Sequence, residues 1–193
     1  MTRQRDFTFA ELDWDPWLET IDPDQATAEQ IAVLEESHAT AKKSPYYLLL
    51  AHDVDVLRQR SRLFNAVMYG QKGLPRAERE LASVAVSRVN GCVYCASVHS
   101  RLFAQLTKQP EIIQRIFDEG VETELPLRYR AIVDYAVKLT ISPHLVTASD
   151  LDSLRSVGLN DLEILDLGHV IAMFAWANRL LQTLGEPIQK VEA

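Results

Sequence analysis

Four residues within one short stretch have the types and spacing for thiol redox chemistry. Cys92 and Cys95 are the chain's only two cysteines and form a Cys-x-x-Cys pair. His99 follows the second by four residues, and Glu80 precedes the first by twelve. A dithiol closes to a disulfide and reopens by exchange. An imidazole gains or loses a proton near neutral pH, and a carboxyl group can relay one. Asn90-Gly91 is a helix stop, because both residues tolerate positive φ. A new helix is then predicted to open at Cys92, with Cys95 in its first turn. On that helix positions 92, 95 and 99 are i, i+3 and i+7 and share one face. The free N–H groups and the positive end of the dipole favour a thiolate there, as would a protonated His99. Cysteines in such surroundings ionise at about 3.5 to 7.5, against about 8.5 unperturbed.

Glu80 is placed by the preceding helix, predicted over 76–89. Leu81, Val84, Ala85 and Val86 mark its apolar side, and Glu80, Ser83 and Ser87 recur beside it at i, i+3, i+7. A fold-back at Asn90-Gly91 carries that polar stripe toward the cysteines. Burial there is expected to raise the Glu80 pKa. Beyond the cysteines, Val98, Leu102 and Leu106 continue the face of Cys95 and His99, so the dithiol is expected at the edge of the core.

The pattern of Glu, eleven residues, Cys-x-x-Cys, three residues and His resembles the signature of the AhpD-like alkylhydroperoxidases, within the carboxymuconolactone decarboxylase superfamily. Arg79-Glu80-Leu81 and the run from Ser87 to Cys95 are similar to its peroxidase-related subgroup. Ser44-Pro45-Tyr46-Tyr47 and Asn178-Arg179 fit as well. The best-known members have a second His between the cysteines; this chain has Tyr94. The resemblance implies that a hydroperoxide oxidises Cys95 to a sulfenic acid and that Cys92 resolves it to a disulfide. It makes His99 the activating residue and Glu80 the proton-relay acid. It implies a peroxidase of antioxidant defence, with no cofactor beyond the redox-active Cys92–Cys95 disulfide. The substrate would be a small hydroperoxide, and the reductant an external dithiol such as a lipoylated protein. It also implies a homo-oligomer and a multi-helix bundle built around a helical hairpin that carries the cysteines.

Three other readings of the same residues stand beside this one. The protein could be a thiol–disulfide oxidoreductase with little peroxidase activity. Cys92, Cys95, His99 and Glu80 could instead hold zinc, or sense redox state, in an interaction module without turnover. A lactone decarboxylase, as elsewhere in the superfamily, has no use for a Cys pair.

The remainder of the 193 residues reads as helical scaffold, and the fold class expected is all-α. A net charge of −7 argues against nucleic-acid binding. No uninterrupted apolar run approaches the roughly 20 residues that span a bilayer, and no apolar leader follows the N-terminus, so the expected location is cytoplasmic. Residues 1–24 are expected to form an arm that packs through Trp14 and Trp17, and 25–193 a single helical domain. Thr27-Ala-Glu-Gln30 is a capping box. One helical segment is predicted over 46–69, with Arg58, Arg60 and Arg62 on a solvated face. Further helices are predicted over 111–119, from Pro126 to about 140, after Thr147 or Ser149, and over 160–184. The last is apolar almost all round, which suits a subunit contact, with His169 packed or hydrogen-bonded within it. His38 is expected to be solvated, His52 has no partner in the pattern, and His144 is placed in a loop with no spacing that ties it to the site.

Overall fold

The computed structural model describes residues 2–190. Residue 1 of the expected arm and residues 191–193 of the expected domain lie outside them. The described residues form nine α-helices and one two-stranded ribbon, so the fold is all-α as expected, with a β element the sequence did not announce. In order these are β1 (Leu12–Pro16), α1 (Ala28–Ser37), α2 (Pro45–Leu50), α3 (Val54–Tyr69), α4 (Arg76–Asn90) and α5 (Val93–Thr107). Then follow α6 (Pro110–Glu119), α7 (Leu127–Ile141), α8 (Ala148–Ser156), α9 (Asp161–Thr183) and β2 (Gly185–Gln189).

Local chemistry sets the helix starts. Thr27 Oγ1 accepts from the Gln30 N–H, and Gln30 Oε1 accepts from the Thr27 N–H, closing the capping box that opens α1. Reciprocal bonds of the same kind open α9 between Asn160 and Glu163. Pro45 and Pro110 sit at first helical positions, where no N–H is needed. The segment predicted over 46–69 is two helices. The chain breaks at Ala51-His52-Asp53, and the Asp53 carboxylate accepts from the Val56 N–H to start α3.

α4 is the axis of the molecule, with every residue from Glu78 to Ser87 buried. α5, α6, α7 and α9 pack around it, and Leu81, Val84 and Ala85 meet Phe103, Ile113, Ile132, Val170 and Phe174 in one core. A helix buried on all sides must satisfy its polar groups internally. Glu78 takes two bonds from Arg128, at 2.6 and 2.8 Å. Arg79 donates to the carbonyls of Val67, Gly70 and Lys72 and to Asp166, which fixes the turn from α3 into α4. Asp166 also takes the Leu74 N–H, and a Cβ at Gly73 (φ +79°) would lie 1.8 Å from its Oδ2. This turn admits glycine on both grounds.

α9 buries one side, with Leu167, Val170, Phe174 and Asn178, and leaves Leu162, Leu165 and Trp176 exposed on the other. It is long and apolar enough on average to span a bilayer, but half of that window is buried inside the fold. His169 lies on the exposed side and is not packed.

β1 and β2 pair antiparallel, Leu12 opposite Gln189 and Pro16 opposite Gly185. Trp14 is 2% exposed and its indole Nε1 donates to the Leu181 carbonyl at 2.9 Å. Its ring packs edge-on to Tyr46 and joins the cluster that contains Cys92, Cys95 and Leu181. Gly185 makes room for it, since a Cβ there would fall 2.4 Å from Trp14 Cζ2. Trp17, expected to pack as well, is 55% exposed.

The ribbon therefore covers the thiols. Trp14→Ala is expected to lower unfolding stability by about 3–5 kcal/mol in urea titrations. It should also raise the rate at which the native cysteines react with a thiol reagent. A stability loss with unchanged thiol reactivity would show that something else shields the pair.

Candidate active site

The site begins with the turn between α4 and α5. Gly91 has φ +76°, its N–H bonds the Arg88 carbonyl and the Cys92 N–H bonds the Ser87 carbonyl at 2.8 Å. These two bonds, with a left-handed residue after the last helical one, make a Schellman end. It reverses the chain and makes Cys92 the N-cap of α5, with Cys95 in the first turn. α9 pins the turn: Gln182 donates to the Asn90 carbonyl at 2.8 Å, Asn90 donates to Asn178, and Asn178 donates to Ser87 Oγ at 3.1 Å.

The reversal brings Glu80 against His99. Glu80 Oε2 and His99 Nδ1 are 2.5 Å apart, and Arg76 Nε donates to the other carboxylate oxygen at 2.5 Å. Glu80 has no exposed surface. Burial works to raise its pKa, but the charges and hydrogen bonds of His99 and Arg76 outweigh it and hold the carboxyl below its ordinary value. The expectation of a raised pKa is corrected on that ground. The carboxylate only accepts, so Nδ1 carries the shared proton and Nε2 is the nitrogen not engaged by Glu80. Phe174 packs edge-on against the imidazole, 4.5 Å between ring centres.

Cys92 and Cys95 are free, buried thiols, 1% and 3% exposed. They hydrogen-bond each other, and Asn178 bonds both. Cys95 is pushed well above the usual thiol value, first by burial and then by its neighbour Cys92. Cys92 is lowered, chiefly because Cys95 donates to it. Cys92 is thus the thiol of the pair that ionises first, where the helix-start argument favoured a thiolate at either.

The two sulfurs also face different spaces. Cys95 lines a cavity of about 560 Å³ together with His99, Tyr46, Tyr94, Phe64, Arg60 and Phe174. Cys92 lines a separate cleft of about 320 Å³, among Arg3, Arg5, Tyr94 and Gln182. Burial pushes the Tyr94 hydroxyl up to about 12, so it stays protonated near neutral pH. Among the described residues, no three His, Cys, Asp or Glu side chains are placed to hold a metal ion. The zinc alternative would need Glu80 as a ligand, and both its oxygens are already bonded by Arg76 and His99.

All four sequence-derived residues are thus brought together, and the structure adds three. Arg76 stands four residues before Glu80, a helical ion-pair spacing that was readable. Asn178 was noted only as part of the resemblance. Arg60, expected on a solvated face, is 7% exposed in the cavity wall. Its spacing of three from Leu57 and four from Phe64 put it on the apolar face. Val98 and Leu102 line the cavity, whereas Leu106 is 51% exposed. His38 lines the same cavity and stacks on Tyr47. His52 bonds the Glu19 carbonyl, and His144 is exposed.

The carboxymuconolactone decarboxylase family model matches residues 55–136, which include Glu80, both cysteines and His99. No curated protein matches the chain. Among solved structures, an uncharacterised peroxidase-related protein of Ralstonia eutropha JMP134, described as an alkylhydroperoxidase AhpD core, is 26% identical with a TM-score of 0.76. The match covers 88% of this chain and 90% of that one. A second uncharacterised peroxidase-related protein, from Silicibacter sp. TM1040, is also 26% identical, with TM-score 0.73 and the same coverage, 88% and 90%. The debrominase Bmp8 shares the fold at 17% identity and TM-score 0.69, over 90% of this chain and 91% of that one. Family match, fold and the Glu80–Cys92–Cys95–His99 constellation agree: residues 55–136 match the carboxymuconolactone decarboxylase family, and the chain has the fold of AhpD-like, peroxidase-related proteins.

Proposed function

We propose that the protein is a cysteine-based hydroperoxide reductase that cycles between dithiol and disulfide. The observation that carries this reading is the shared wall: Cys95 and His99 line one cavity, and Glu80 stands behind His99. A thiol and an imidazole then meet the cavity, with a buried carboxylate bonded to the imidazole.

In the first step Cys95 sulfur attacks the terminal oxygen of R–OOH. The O–O bond breaks, Cys95 becomes a sulfenic acid and the leaving alkoxide takes a proton to become ROH. One proton must leave Cys95 for attack. Cys92 is the adjacent base, since it is the thiol of the pair whose pKa is lowered and Cys95 donates to it. His99 Nε2 serves the leaving oxygen, while Glu80 keeps the ring oriented and supports its positive charge. In the second step Cys92 sulfur attacks Cys95–SOH, the S–S bond forms and water leaves. An external dithiol, such as a lipoyl group on a partner protein, then reopens the disulfide.

The two-sided site supports separate approaches: peroxide from the aromatic cavity, reductant from the cleft beside Cys92. The return to dithiol suits a reducing compartment such as the cytoplasm. Leu162, Leu165 and Trp176, exposed on one side of α9, support self-association. A second reading, thiol–disulfide exchange without peroxide, is favoured by one observation: the lowered thiol is Cys92, which faces the cleft and not the cavity. The fold also carries a debrominase.

Intact mass after one equivalent of cumene hydroperoxide tests the polarity. The reduced wild type should lose two hydrogens, Cys92→Ser should gain one oxygen at Cys95, and Cys95→Ser should not react. Oxygen gained at Cys92 in Cys95→Ser reverses the roles. A dithiol oxidised only by disulfides leaves the exchanger.

Thiolate absorbance against pH should show one thiol ionising below the usual value of about 8.5. Cys95→Ala should return Cys92 upward, because the donor to its thiolate is gone. An unmoved first ionisation would contradict the coupling.

For Glu80 the folded pKa is depressed, so its contribution to stability is present above the unfolded value of about 4.3. It is lost as pH falls through the folded value. Glu80→Gln should flatten this acid limb in unfolding titrations and slow peroxide reduction by about 10²-fold or more. A variant as active as wild type would remove Glu80 from the mechanism.

A further inference from the structure

The cavity in front of Cys95 differs in charge from the rest of the molecule. The chain has 27 acidic residues against 20 Lys and Arg, yet no Asp or Glu lines this cavity and two arginines, Arg60 and Arg101, do. Arg101 is engaged, donating to the Ala10 carbonyl and Ser97 Oγ, both at 2.8 Å. Arg60 is not comparably engaged. The residue is more than nine-tenths buried, and its guanidinium makes one hydrogen bond among the described residues, from Nη1 to the Tyr47 hydroxyl at 2.9 Å. It has no carboxylate partner among them, and its Nε is buried without an acceptor. Three rings hold it instead: its Cζ lies 4.5 Å from the centre of Phe64, 5.2 Å from Tyr47 and 6.0 Å from Tyr46. The Tyr46 hydroxyl, in the same wall, is also buried with no partner.

Buried charges are normally paired. A guanidinium with no carboxylate partner and a phenol with no partner, beside an open cavity of about 560 Å³, describe the empty half of an ion pair. The size suits a small molecule, and the aromatic wall suits a flat apolar body. Resting on the reading that this cavity is the substrate site, we infer that it takes a substrate with a carboxylate or similar acidic oxygen group on an aromatic or other flat apolar frame, and that Arg60 binds that group. Arg60 is thereby the residue that decides specificity. The resident thiol does not meet the need, because burial keeps Cys95 protonated in the resting pair.

The test uses matched ligands that differ in charge. Binding of 4-isopropylbenzoate and of neutral 4-isopropylbenzamide to the reduced protein is measured by calorimetry, which needs no turnover. Wild type should bind the benzoate at least about tenfold more tightly. Arg60→Met and Arg60→Gln should bring the two within about twofold, while Arg101→Met should keep the preference. The Gln variant can retain the bond to Tyr47 should the Met variant fail to fold. Equal binding of both ligands to wild type overturns the inference, as does a preference that survives in the Arg60 variants. The same contrast is then read from the rates of dithiol oxidation by cumene hydroperoxide and its 4-carboxylate, as a ratio for each variant. The ratio should favour the carboxylate in wild type and collapse without Arg60. Arg60-dependent benzoate binding with neither hydroperoxide oxidising the dithiol would end the peroxidase reading and leave the anion site standing.

Discussion

The buried carboxylate of Glu80 is the constraint on which the site depends. An ionised group without exposed surface is tolerated only when its charge is paired and both oxygens are hydrogen-bonded. Arg76 supplies one partner from the same helix, one turn earlier. His99 supplies the other, and it reaches Glu80 only if α5 runs back along α4. That reversal needs a left-handed residue at 91 and the hairpin bonds made by Asn178 and Gln182. Removing one partner of a buried pair typically costs about 3–5 kcal/mol, so the pairing favours the hairpin that creates the site. The same bonds fix which imidazole nitrogen carries the proton.

The dithiol inherits its asymmetry from the same turn. A residue at an N-cap and a residue three later in the first turn of a helix lie close enough to bond, but they need not face the same space. Cys92 is turned toward the ribbon and the cleft that carries Arg3 and Arg5, and Cys95 toward the aromatic cavity. One sulfur is the hydrogen-bond donor and the other the acceptor, which separates their acidities in opposite directions. The thiol that meets the cavity is therefore the less acidic, and its activation depends on moving one proton across the pair.

Local signals made most of the helices and the four site residues legible. Thr27 with Gln30, Pro110, Gly120 and Gly91 each act within a few residues of themselves, so a linear reading finds them. The ribbon escaped because it joins positions about 170 residues apart. Leu12–Pro16 and Gly185–Gln189 are five residues each and both contain proline, which argues against a strand unless it is an edge. The break between α2 and α3 escaped for a different reason. The pattern over 46–69 reads as one segment, while Asp53 within it caps a new helix. The Glu80 pKa was misjudged because burial was legible and the partner Arg76 was not weighed. In each case the missing quantity was a specific partner and not a propensity.

The buried or half-buried arginines show how much a partner matters. Arg79 has three carbonyls and Asp166, Arg128 has Glu78, and Arg76 has Glu80. The first two tie one element to another and the third braces α4 itself, and in each an acidic residue of this chain answers the charge. Arg60, with Arg79 one of the two arginines less than a tenth exposed, has a phenol and three rings in place of a carboxylate. Stability alone gives no reason for this, since an apolar residue at position 60 would pack against the same rings without a desolvated charge. A cation kept in an aromatic wall next to the reacting sulfur is accounted for when an anion arrives from outside the chain.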